Sequence, residues 1–149
     1  MLNFNNYLIE VFNKAYPFKR TIDKDRIEYI FTTAQGKKGK VDISKGDYKF
    51  DFISKDRVTG WDINFDIDSK VDVTGGGEAF TIFSTVVEIA KDFVAKNKPK
   101  VIIFNADKSD QSRVNLYTAM VKRLAKQADM EFNITLDDSH YQDFILYKK

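Results

Sequence analysis

Between residues 26 and 68 of this 149-residue chain apolar and polar residues alternate, and from residue 79 apolar residues recur at helical spacing. The switch falls on Thr74-Gly75-Gly76-Gly77-Glu78-Ala79-Phe80. A chain patterned this way places a strand-rich half before a long helix, with a turn of unusual backbone freedom between them. The first amides of such a helix have no intrahelical partner, and with the helix dipole they form an anion site. On the residues alone two readings stay open. The glycines cradle the phosphates of a cofactor, or they make a flexible strand-to-helix turn.

In the strand-rich half, Ile27, Tyr29 and Phe31 alternate with Glu28, Ile30 and Thr32. Gln35-Gly36-Lys37-Lys38-Gly39 reads as a hairpin turn, and Val41 and Ile43 as the next strand. Lys45-Gly46-Asp47 reads as a second turn, followed by a strand carrying Tyr48, Phe50 and Phe52. Lys55-Asp56-Arg57 turns again into a strand with Trp61, Ile63, Phe65 and Ile67 on one side. Four strands with short turns make an antiparallel meander with one apolar face. Asp62, Asp66 and Asp68 line the other side of the last strand. That row is a solvated sheet face, or it borders a cleft and supplies a base or a cation partner. Ahead of the meander, Phe4, Tyr7, Leu8, Val11 and Phe12 predict a helix over residues 2–15, ended by Tyr16-Pro17.

Behind the glycines, Ile82, Phe83, Val86, Val87, Ala90, Phe93 and Val94 predict a helix over 79–96, stopped by Asn97-Lys98-Pro99. Val101-Ile102-Ile103-Phe104 is a continuous apolar run, as in a strand buried on both faces. Strand, helix, strand at this spacing predicts a parallel pair. After the polar loop 107–112, Val114, Tyr117, Met120, Val121 and Leu124 mark a second helix. Residues 131–136 and 143–147 read as a closing antiparallel pair around a turn at Asp137-Asp138-Ser139-His140. The expected architecture is one α/β (α+β) domain over 1–149. Its sheet is mixed and mostly antiparallel, with a parallel pair in the middle and flanking helices.

Composition narrows the chemistry. The chain has no Cys, which excludes disulfides, thiolate catalysis and zinc on sulfur. Its one His, His140, excludes a multi-histidine metal site within one chain and reads as a surface residue; no metal site is expected. A net charge of +2 argues against a nucleic-acid binder. No apolar run approaches the ~18 residues of a membrane span, and the N-terminus lacks signal-peptide character. The expectation is a soluble, cytoplasmic protein.

The element order, with Gly75-Gly76-Gly77-Glu78-Ala79 opening one helix and Leu116-Tyr117 on the next, resembles the GNAT family of N-acetyltransferases. That family binds the pyrophosphate of acetyl-CoA with an Arg/Gln-x-x-Gly-x-Gly/Ala motif at a helix start. Its later helix often carries a Leu-Tyr pair whose Tyr protonates the departing CoA thiolate. The resemblance implies acetyl-CoA as cofactor and an amine acceptor, small molecule or protein. It assigns cofactor binding to Thr74, Gly75, Gly76, Gly77, Glu78, Ala79 and Ser112, and the acid role to Tyr117. For the base, the acidic row of the last meander strand offers Asp62 or Asp66, directly or through a water. The chain departs from the pattern in three places. Thr74 stands where the family has Arg or Gln, Asp110 and Arg113 replace the usual Asn and Ala, and the Gly-Phe pair behind the Tyr is absent. These departures, and a weaker resemblance to small phage-encoded proteins, motivate a second reading. In it the chain is a non-catalytic virion component or host-protein-binding module, with a viral or host protein as partner.

Other motifs fail on spacing. Phe80 occupies the position where a dinucleotide fingerprint needs Gly or Ala, and no Lys-Ser/Thr follows the glycines as a nucleotide-hydrolase loop requires.

Overall fold

Alternation at period two becomes a sheet because it puts every apolar side chain of a strand on one side. In the computed structural model, which describes residues 15–67, 77–136 and 140–148, four strands make that face. They are β1 (Phe18–Asp23), β2 (Arg26–Thr32), β3 (Lys38–Tyr48) and β4 (Val58–Ile67). Register stacks the apolar residues in rungs across the strands. Ile27 lies beside Ile43 and Ile43 beside Ile63; Tyr29 lies beside Val41 and Val41 beside Phe65. All six are buried.

The helix behind the glycines, α1 (Gly77–Asn97), lays Ile82, Val86, Ile89, Ala90 and Phe93 on this face. The chain then enters β5 (Val101–Asp107), α2 (Gln111–Ala128), β6 (Glu131–Leu136) and β7 (Tyr141–Tyr147). The seven strands form one sheet in the order β1-β2-β3-β4-β5-β7-β6, antiparallel throughout except for the parallel pair β4 and β5. Asp110 caps α2, accepting from the Arg113 N–H at 3.1 Å. Tyr117, Met120, Val121 and Leu124 of α2 join the same core as Phe104 and Phe144. Both helices therefore cover one face. On the other face Val101, Ile103 and Ile145 are covered by Tyr48, Phe50, Ile53 and Val58, without helical cover among the described residues.

Two expectations are corrected. Lys45-Gly46-Asp47 is not a turn, because β3 runs on to Tyr48 and pairs with β4 all the way, Gly46 beside Gly60. The two glycines leave room for the Tyr48 ring, which an added Cβ would meet at 3.1 Å at Gly46 and 3.0 Å at Gly60. Phe50 and Phe52 accordingly lie in the connection after β3, where the Ile53 and Ser54 amides both donate to the Phe50 carbonyl. β1 was not legible in the alternation, and it supplies the first of the four strands. The expected helix over 2–15 lies almost wholly outside the described residues, as do Thr74, Gly75 and Gly76 and most of the turn at 137–140.

Candidate active site

β4 and β5 hydrogen-bond over only two residue pairs, Trp61 with Ile102 and Asp62 with Ile103. Beyond Asp62 each strand continues without the other, β4 to Ile67 and β5 to Asp107. The sheet is thus split at its centre, and backbone groups of β4 past Asp62 have no partner from β5. Such groups must find a hydrogen bond elsewhere. α1 begins at Gly77, ten residues after β4 ends, so its first amides follow the strand that borders the split.

Arg113, in the first turn of α2, reaches into the split. Its Nη1 donates to the Phe65 carbonyl at 3.4 Å, and its guanidinium lies 5.5 Å from the Phe65 ring centroid. Its Nε is buried and stands 3.6 Å from an Asp110 oxygen, an ion-pair distance too long for a hydrogen bond.

Tyr117 follows Arg113 by four residues, so both side chains share one face of α2. Its ring packs between Phe104 and Phe144 at centroid distances of 5.8 and 5.9 Å. Burial raises the phenol pKa above its ordinary value, and the Arg113 guanidinium pulls it the other way. Asp62 is within electrostatic reach of the same phenol and raises its pKa further.

Asp62 occupies the last paired position of β4, on the sheet face opposite the helices. Its Oδ1 is buried and has no hydrogen-bond partner among the described residues. Burial raises its carboxyl pKa, and the Asp143 carboxylate on β7 adds to the rise. Asp62 also raises the pKa of Tyr48 from the same side, after the larger effect of burial there.

The structure separates the two carboxylates offered as base. Asp62 sits at the apex of the split, whereas Asp66 is exposed and registers with Lys40 of β3. Lys40 is itself paired with Glu28 at 3.2 Å and Asp42 at 3.5 Å. Gly77, Glu78 and Ala79 form the first turn of α1, and Ser112 lies in the first turn of α2. Sequence reasoning left Arg113 and Asp143 out of the site. The spacing of Arg113 to Tyr117 was a readable signal; that of Asp143 was not, because its place depends on β7 inserting between β5 and β6.

Together these features define a mixed α/β sheet protein with a central split, Asp62 at its last β4–β5 pair and Arg113 of α2 bonded to the strand beyond it. Residues 12–148 match the model of a family of unknown function, DUF6934, and the chain belongs to that family. No curated protein matches it. Among solved structures it is similar to the N-acetyltransferase PseH of Campylobacter jejuni, with 15% identity, a TM-score of 0.48, and coverage of 85% of this chain and 71% of that one. It is similar to a mutant of the spermidine N-acetyltransferase SpeG of Vibrio cholerae, at 11% identity, a TM-score of 0.47 and coverage of 85% and 66%. It is also similar to Arabidopsis thaliana NAA60 in complex with acetyl-CoA, at 11% identity, a TM-score of 0.43 and coverage of 82% and 74%. With scores below 0.5 and identities this low, the overlays by themselves define no shared activity. No described helix is long and apolar enough to cross a membrane.

Proposed function

We propose that the chain is an N-acyltransferase that moves an acetyl group from acetyl-CoA to an amine at the split between β4 and β5. The observation that carries this reading is the bond from Arg113 of α2 to the Phe65 carbonyl of β4 beyond the last β4–β5 pair, with Asp62 at that pair and Tyr117 one turn on from Arg113. Acyl transfer needs a base for the amine and an acid for the leaving thiolate. A buried carboxylate of raised pKa is a stronger base than an ordinary Asp, and a buried phenol stays protonated and able to donate.

Acetyl-CoA would supply the activated acyl group. The first amides of α1, from Gly77 through Ala79, would face its phosphates. The Phe65 carbonyl and the Arg113 guanidinium would line its path between the strands. The orphaned Oδ1 of Asp62 fits a site meant to receive a donor from a ligand. Asp62 would accept the proton that the amine gives up, and the Tyr117 hydroxyl would give its proton to the departing sulfur.

The test is release of free thiol from acetyl-CoA with a panel of small amines and peptides. Tyr117→Phe and Asp62→Asn are each expected to lower turnover by about 10²–10⁴-fold with little change in acetyl-CoA affinity. Unchanged turnover in Tyr117→Phe removes that residue from the mechanism, and unchanged turnover in both removes the proposed chemistry from the split.

A further inference from the structure

At the end of the β4–β5 pair away from the split, a cavity of about 550 Å³ opens between the C-terminus of α1 and the connection after β3. Four lysines line it, Lys45 on β3, Lys98 and Lys100 in the connection between α1 and β5, and Lys148 after β7, and no acidic side chain does. All four are exposed, and none makes an ion pair within 4 Å among the described residues. Lys96, on the last turn of α1 two residues before Lys98, shows the contrast: Asp92 holds it at 3.0 Å.

The helix dipole favours cations near the end of α1, which accounts for Lys98. It does not account for Lys45 on β3, Lys100 before β5 or Lys148 after β7. Backbone contacts fix where each lysine sits, and one joins two of them. The Lys148 amide donates to the Lys100 carbonyl at 2.9 Å. Lys98 takes a left-handed conformation, φ 46°, and donates to the Val94 carbonyl at 3.0 Å. The Lys45 amide donates to the Asp25 carbonyl at 3.0 Å, and its ammonium lies 5.8 Å from the Trp61 ring centroid. Gathering four like charges without a counter-ion costs energy unless an anion joins them.

We infer that this cavity binds a phosphate-bearing small molecule, its charge among the four lysines and its body against Trp61, Ile53 and Val58. The volume lies in the range of small-molecule sites. This site is separate from the proposed acyl-transfer split and does not depend on that reading.

Trp61 is the one tryptophan of the chain and lines this cavity, so its emission reports a ligand bound there. The experiment titrates the full chain with inorganic pyrophosphate and with ADP, with chloride at matched ionic strength as the control. To exclude binding at α1, it is repeated in Gly77→Glu. A saturable emission change with either phosphate, absent with chloride and retained in Gly77→Glu, is expected. Lys98→Gln/Lys148→Gln should shift its midpoint about tenfold higher, while Lys122→Gln/Lys126→Gln on α2 leaves it in place. No saturable change with either probe, or equal midpoints in the two double variants, overturns the inference.

Discussion

Arg113 Nη1 donates to the carbonyl of Phe65 at 3.4 Å, joining the first turn of α2 to the part of β4 that β5 no longer covers. The bond matters because a strand edge inside a protein cannot leave its carbonyls unpaired. It also sets a fixed positive charge beside Tyr117. Arg113→Ala is expected to raise the Tyr117 pKa, since the guanidinium stabilises the phenolate while burial opposes it. Tyrosine ring-carbon NMR across alkaline pH would show the Tyr117 transition moving to higher pH. A transition that stays in place or moves lower would mean that the guanidinium does not act on this phenol.

Asp62 gives a pH dependence whose sign is fixed by its surroundings. Burial, then Asp143, raise its folded pKa above the unfolded value. The folded state thus pays for the ionised form, fully above the folded pKa and not at all below the unfolded one, near 3.8. Asp62→Asn should therefore melt at a higher temperature than the parent at neutral pH. The advantage should shrink as pH falls through the raised pKa of Asp62. An advantage independent of pH would show that charge burial is not its source.

Tyr29 is buried in the core, and its hydroxyl donates to Asp92 Oδ2 at 2.7 Å. Burial and this bond both raise the phenol pKa. Burial would raise the Asp92 carboxyl, but the bonds from Tyr29 and Lys96 outweigh it and leave the pKa lowered. Tyr29→Phe is expected to cost about 1.5–3 kcal/mol of stability, as for a hydrogen bond to a charged group. Urea unfolding would measure it; a loss below ~0.5 kcal/mol would contradict the assigned strength of the bond.

Gly39 tests the packing of the meander. A Cβ there would collide with the Phe31 ring, which is buried at 2% exposure and has no room to swing away. Gly39→Ala should destabilise by about 1–3 kcal/mol through overpacking. A neutral effect in the same unfolding assay would show that β2 and β3 are less tightly seated.

The rungs through Ile27, Tyr29 and Phe65 were readable because period-two alternation is imposed by the sheet itself. The stripe of Tyr117, Met120 and Leu124 was readable for the equivalent reason in a helix. β1 was not readable: it is an edge strand, half-exposed at Phe18 and Arg20 and exposed at Ile22, so burial imposes little pattern on it. Gly46 looked like a turn by local preference, and the tertiary pairing with Gly60 under the Tyr48 ring overrode it. At the site, the strand carrying Asp62 and the helix carrying Tyr117 were legible singly. The split beside them was not, because two residue pairs between β4 and β5 leave no periodic trace.

The most direct measurement is calorimetric titration of the protein with acetyl-CoA, beside a Gly77→Glu variant shown to be folded by its circular dichroism. The account predicts saturable binding to the parent chain and its loss in the variant, because a carboxylate at the start of α1 would repel the phosphates. Absence of binding to the folded parent, or equal binding to both, would contradict it.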